Sequence, residues 1–279
     1  MKKCSLIILL LLMLLPVGCA AAPDCDIAAT TLPVYQFTAA LCDGTELAVR
    51  QIVTESVSCL HDYSLSVSQM RSIENAQLVI VNGAGLEESM EDALHAARQL
   101  VDASEGIELL PGEEEYDPHI WLSTECARKM CENICQALCL QYPGYQMIFE
   151  ENLNALTLRF DELAQYAQSR LQDLGTRNLI TFHDGFSYFA KENNLTVLCS
   201  VEEEAGSEAS ASTLEEIVSL IGQYQVRAIF VEENGSDAAA KAIAAETGVK
   251  IFTLRMGFSG EDYFETMRQN IDTVREALQ

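Results

Sequence analysis

Histidine is scarce in this chain: four residues in 279, at positions 61, 95, 119 and 183, beside one tryptophan and six prolines. Basic residues are outnumbered, with 17 Lys and Arg against 42 Asp and Glu and a formal net charge of −25. That shortage argues against a nucleic-acid partner and against anionic lipid surfaces, both of which select clusters of positive charge. No CxxC pair occurs among the ten cysteines, so a zinc knuckle or a thioredoxin-type motif has no support. No HExxH occurs either, the helical motif of many zinc proteases. After residue 18, no run is long and apolar enough to cross a bilayer.

The first 18 residues read as a signal peptide. Lys2 and Lys3 form a positive start, and Leu6 to Leu15 an apolar run too short for an ordinary transmembrane helix. The run ends in "PVGC", which resembles a bacterial lipobox, with Pro16 where Leu is usual. In a lipobox the cysteine, here Cys19, is lipidated and becomes the new N-terminus. The alternative is a plain secretory signal cleaved after the alanines that follow. Either way the mature chain is extracytoplasmic, and a lipidated Cys19 would anchor it to the cell membrane. Exported chains often form disulfides. Here, however, Cys131, Ile134, Cys135, Leu138 and Cys139 follow the i, i+3, i+4, i+7, i+8 stripe of an amphipathic helix, where a free thiol packs as a small hydrophobe.

Beyond residue 26, short apolar runs alternate with amphipathic stretches. Strands are predicted at Ile27–Thr31, Leu47–Val53, Gln77–Val81, Ile107–Leu110, Asn178–Phe182, Leu195–Cys199, Val226–Val231 and Val249–Leu254. Runs such as "QLVIV" and "RAIFV" are continuous rather than alternating, the pattern of strands buried on both faces in parallel sheets. Helical patterns lie between most of them, at about 34–42, 68–75, 86–103, 123–141, 184–193, 213–223, 236–247 and 261–278. From about Tyr145 to Leu174 the rhythm breaks into one long helical pattern without Gly or Pro. At about 1.5 Å per residue it would span roughly 45 Å, enough for a strut between two lobes. The expected fold is α/β: two lobes with mostly parallel sheets flanked by helices, joined by one long rigid helix. The expected division is a leader at 1–18, an N-terminal lobe at 19–144, the connecting helix at 145–174 and a C-terminal lobe at 175–279.

Three of the four histidines fall at strand-to-helix transitions. His61 follows the Leu47–Val53 run, His119 lies in "YDPHIW", and His183 in "LITFHDGFSYF". Open α/β sheets bind ligands outside the carboxyl ends of their strands. Three imidazoles, completed by a carboxylate or water, form a common zinc shell. Separations of 58 and 64 residues exclude a local finger motif and suit a site assembled between lobes. His95, inside a helical pattern, has no special role in this reading.

These segments resemble the metal-binding components of zinc and manganese ABC importers, the ZnuA/TroA family of solute-binding proteins. "HDYSLSVSQMRSIENAQLVIVNGAGLEESM", "YDPHIWLS" and "TFHDGFSYFAKENNL" are similar to the family's three histidine segments, in family order. "AIFVEENGSDAAAKAIAAETGVKIFTL" and "YFETMRQNIDTVREAL" are similar to later family segments, so the likeness covers nearly all of residues 26–279. The resemblance implies that His61, His119 and His183 bind metal, and that an imidazole at 183 rather than a glutamate favours zinc, the softer-ligand choice. It also implies a monomer that carries Zn2+ as cargo and delivers it to a permease. One departure is Arg255, which stands where relatives often supply an aspartate ligand. Glu232, at a strand end, is the candidate substitute, with Glu208, Asp62 or water as others. The short acidic "PGEEEYDPH" replaces the long His-rich loop of many zinc relatives.

Each imidazole must be neutral to bind, so binding is expected to weaken below about pH 6, near the reference histidine value. A manganese or iron carrier of the same transport class is the nearest alternative. A secreted zinc hydrolase, with Asp62, Asp184 or Glu232 as general base, is the alternative from another class. An adhesin, or an importer component for another ligand, is a third reading.

Overall fold

The computed structural model describes residues 25–55, 60, 63–112, 115–202, 210–233, 237–260 and 262–279. Cys19 and the leader, His61, Asp62, Glu113, Glu114 and Glu208 lie outside the described residues.

The N-terminal lobe runs β1 (Ile27–Ala29), α1 (Leu32–Leu41), β2 (Val49–Gln51), α2 (Val67–Asn75), β3 (Leu78–Val81), α3 (Glu91–Leu94), β4 (Leu100–Asp102) and α4 (Thr124–Gln141). The helix α5 (Gln146–Leu171) leads into β5 (Asn178–His183), α6 (Ser187–Glu192), β6 (Thr196–Glu202), α7 (Ala211–Tyr224), β7 (Ala228–Glu232), α8 (Ala238–Thr247), β8 (Lys250–Leu254) and α9 (Tyr263–Leu278). The first sheet has the order β2-β1-β3-β4 and the second β6-β5-β7-β8, with every described pair parallel. The two lobes thus share one strand order. In each, the crossovers leave in opposite directions from a central pair, β1/β3 and β5/β7. A crevice opens at the carboxyl ends of such a pair. The continuous apolar runs form these central strands, and every residue of β3 and β7 is buried.

Two predicted elements do not form as expected, and a third is shorter. The helix expected over 86–103 is only a 3₁₀ turn at Glu88–Met90 and the four-residue α3, after which Leu100–Asp102 pairs with β3 as β4. The edge strand half-exposes its side chains, so its periodicity mimics a helix. The strand expected at Ile107–Leu110 does not form, because β4 already occupies the sheet edge and the Leu110 N–H is taken by the Tyr188 hydroxyl at 2.8 Å. The long helix ends at Leu171 rather than near 174 because the Arg177 guanidinium donates to the carbonyls of Leu171 (3.0 Å) and Gln172 (3.1 Å). Its length is therefore about 39 Å.

Phe149, Leu156, Phe160, Leu163, Ala167 and Leu171 form the buried stripe of α5, and one hydrophobic core runs along it through both lobes. Trp121 is a lynchpin of that core. Its indole Nε1–H donates to the Met256 carbonyl (2.7 Å), and its own carbonyl accepts from the Tyr263 hydroxyl (2.8 Å). Cys131 and Cys135 are fully or almost fully buried on α4, with Cys139 half-buried, as the helical stripe predicted. Burial pushes the Cys135 thiol up to about 12, so these thiols pack rather than react.

The floor of the N-terminal crevice is tied by one buried carboxyl. Glu87 accepts from the Thr30 hydroxyl (2.6 Å) after β1, and from the N–H groups of Asn82 (2.7 Å) and Gly83 (3.1 Å) after β3. Gly83 needs its left-handed φ of +80°, and a side chain there would strike Asp102. The three donors favour the carboxylate, but burial wins and pushes Glu87 up to about 7 from the ordinary 4.5. The folded chain then keeps a proton that the unfolded chain has lost, so stability falls as pH rises from about 4.5 to 7, by roughly 3 kcal/mol for this group. Glu87→Gln cannot titrate and is expected to lose less stability across that window, read as urea midpoints at pH 5 and pH 7. Parallel losses in the two proteins would rule out Glu87 as the source.

Candidate metal centre

His183 is the last residue of β5, at the carboxyl end of the central pair in the second sheet. His119 comes from the other lobe, directly before a 3₁₀ turn at Ile120–Leu122 that feeds α4 through the Ser123 cap. Both rings are buried, 4% exposed for His119 and 5% for His183. Their Nε2 atoms stand 3.1 Å apart, with the rings perpendicular. The structure therefore brings together two of the three sequence-selected histidines across 64 residues. His61 lies outside the described residues, but its neighbours are anchored in the same lobe: the Leu60 carbonyl accepts from the Ser89 hydroxyl (2.7 Å) and from the Tyr63 N–H (3.0 Å). His95 is on the surface, 3.7 Å from Glu91.

Asp117 fixes the His119 ring. Its Oδ1 accepts from the His119 backbone N–H (2.9 Å) and lies 2.8 Å from Nδ1. A carboxylate oxygen accepts, so the proton sits on Nδ1 and Nε2 turns a lone pair toward His183. Asp117 was not singled out from the sequence; a carboxylate two residues before a candidate ligand was the available signal, but its direction was not legible. Asp184 also borders the site, with its carboxyl raised first by burial and next by the charge of Asp117, against a lowering by His119. Glu232 ends β7 and is buried, and its Oε1 lies 3.8 Å from Nδ1 of His183, the nitrogen that does not face His119. The Arg255 guanidinium stands 3.2 Å from Glu233, and Asn270 brackets its backbone through bonds of 2.9 and 2.8 Å. The bare backbone of Gly185 lies against the imidazoles: a Cβ there would come within 2.9 Å of His183 Cδ2 and 3.2 Å of His119 Cγ.

Two convergent imidazoles with three carboxyls around them suit a cation. Among the described residues alone, no group of three or more His, Cys, Asp or Glu side chains could hold a metal ion. The described site is thus a pair of imidazoles, open to a further donor.

The chain resembles known proteins along almost its whole length. It is 27% identical to the high-affinity zinc uptake system protein ZnuA of Bacillus subtilis (strain 168), over 89% of this chain and 86% of that protein. It is also 27% identical to the zinc-binding lipoprotein AdcA of Streptococcus pneumoniae (strain ATCC BAA-255 / R6), over 99% of this chain but only 61% of that longer protein. A crystal structure of ZnuA superposes with a TM-score of 0.82 at 26% identity, covering 91% of this chain and 99% of that one. These are metal-binding and uptake proteins rather than enzymes. The profile of the ZnuA family, zinc-uptake complex component A, periplasmic, matches residues 27–277, and the chain belongs to that family.

Proposed function

We propose that this protein captures Zn2+ between its lobes through His61, His119 and His183 and hands it to the permease of an ABC importer. One observation carries the reading: the Nε2 atoms of His119 and His183, from different lobes, face each other at 3.1 Å. Two imidazole nitrogens on one tetrahedral zinc stand about 3.3 Å apart, given Zn–N bonds of about 2.0–2.1 Å. A shift of a few tenths of an ångström would admit the ion. Glu232 approaches the far nitrogen of His183, which suits it to orienting that ring more than to direct ligation. Water or a residue near His61 is then the fourth donor. The leader and Cys19 support export and lipid anchoring, and AdcA is named as a lipoprotein. The protein acts in this reading as a monomer outside the cytoplasm.

The test is metal analysis of the purified mature chain, followed by competitive titration with zinc and manganese. Trp121 supplies the optical signal, its ring 5.2 Å from that of His119. Zinc is expected to bind in a one-to-one ratio and to displace manganese. Preference for manganese would transfer the protein to the alternative cargo, and binding of neither metal would sink the reading.

A further inference from the structure

The short helix α6 starts four residues after His183 and carries Tyr188 and Glu192 one turn apart. Both side chains reach out of the C-terminal lobe. The Tyr188 hydroxyl accepts from the Leu110 N–H (2.8 Å) and donates to the Asp117 carbonyl (2.9 Å). The Glu192 carboxylate accepts from the N–H groups of Thr124 (2.7 Å) and Glu125 (3.2 Å) in the first turn of α4. Those N–H groups have no partner within their own helix, and a carboxylate suits the positive end of an 18-residue helix. His119 lies between the two grips, two residues after Asp117 and five before Thr124. The helix that directly follows one imidazole therefore holds the segment carrying the other from both sides.

We propose that Tyr188 and Glu192 form an inter-lobe clasp that positions His119 against His183 and sets how long the site keeps its ion. The proposal rests on the reading above that these two histidines are ligands. Neither clasp residue touches the ion; both are positioning residues. A site split between lobes must immobilise one half against the other when it binds, and a clasp already formed removes that cost from the binding step. The apolar core along α5 holds the lobes together without the clasp. Losing it should loosen the ligand pair while leaving the chain folded.

The experiment uses the full mature chain loaded with zinc. It compares wild type, Glu192→Ala, Glu192→Gln, Tyr188→Phe and, as a control, His183→Ala. Zinc release into an excess of chelator is followed by stopped flow, the cobalt-substituted absorption spectrum is recorded, and thermal midpoints are measured without metal. Glu192→Ala and Tyr188→Phe are each expected to speed zinc release about tenfold, the size of one lost cap or buried hydrogen bond. Their cobalt bands should shift as the angle between the two imidazoles relaxes. Glu192→Gln keeps one oxygen for the Thr124 N–H and should recover part of the slow release. A purely structural role would lower the thermal midpoint and leave release rate and cobalt spectrum as in wild type, which would overturn the clasp. If Glu192→Ala does not fold, Glu192→Gln and Tyr188→Phe decide the matter by the same readouts. Failure of the two levels is distinguishable. Zinc binding lost in His183→Ala with wild-type release in the clasp variants removes the clasp alone, whereas normal zinc binding in His183→Ala removes the ligand assignment beneath it.

Discussion

Replacing His183 by alanine is expected to weaken zinc binding by well over about 100-fold, and Asp117→Asn by about 10- to 100-fold. The order follows from geometry. His183 provides one of the two described nitrogens that face each other at 3.1 Å. Without it the proposed shell would be left with two imidazoles and a water or carboxylate, too few nitrogens for its three-histidine set. Asp117→Asn keeps both rings and an oxygen for the His119 Nδ1–H but loses the negative charge that orients and enriches that ring. It also sets an amide near the position of Oδ2, which is buried without a hydrogen-bond partner among the described residues. His95→Ala is the internal control. That side chain is 72% exposed beside Glu91, and its removal should leave the affinity unchanged. Competitive titration against a chelator of known affinity reads all three. A His183→Ala protein within a factor of a few of wild type would refute the assignment of the site.

The largest effect on stability is expected at Trp121, which is fully buried where the lobes meet. Trp121→Ala should destabilise the chain by about 3–5 kcal/mol, the usual range for emptying a large aromatic site. The ring packs beside Phe258 at 5.1 Å, and its N–H is bonded to a carbonyl of the other lobe. Trp121→Phe should recover much of the packing but leave the Met256 carbonyl without that donor, at a cost of about 1–3 kcal/mol. Equilibrium urea denaturation of the metal-free proteins checks both values. A loss below about 1 kcal/mol for the alanine variant would mean that the inter-lobe core tolerates a large void, against its close packing.

Different parts of this molecule were legible in the sequence for different reasons. The apolar runs within "QLVIV" and "RAIFV" announced central parallel strands because burial on both faces leaves no place for polar alternation. The α5 stripe was legible because a long helix repeats its buried face many times. Leu100–Asp102 was not, since a three-residue edge strand with half-exposed side chains offers too few positions to separate a period of two from one of 3.6. His183 stood out as a rare residue at a strand-to-helix junction; His119 is expected at one too, but no strand leads into it among the described residues, and it directly precedes the turn that feeds α4. Asp117, Tyr188 and Glu192 did not stand out, because acids and tyrosines are common and their partners are known only once the chain has folded.

Read alone, the order of residues carries a local grammar: most of the strands and helices, the strut between two halves, His183 at the end of a strand, and a likeness in motif order to a metal-uptake family. The first three follow from periodicity and residue chemistry within windows of a few turns; the last is a resemblance. Which atoms meet is settled by the packing of distant elements. The Nε2 contact joins residues 64 apart, the Tyr188 bond to Leu110 residues 78 apart, and the Trp121 bond to Met256 residues 135 apart. Such pairings depend on how two sheets and one long helix pack. Periodicity tells which face of an element is buried, but not which distant side chain it is buried against.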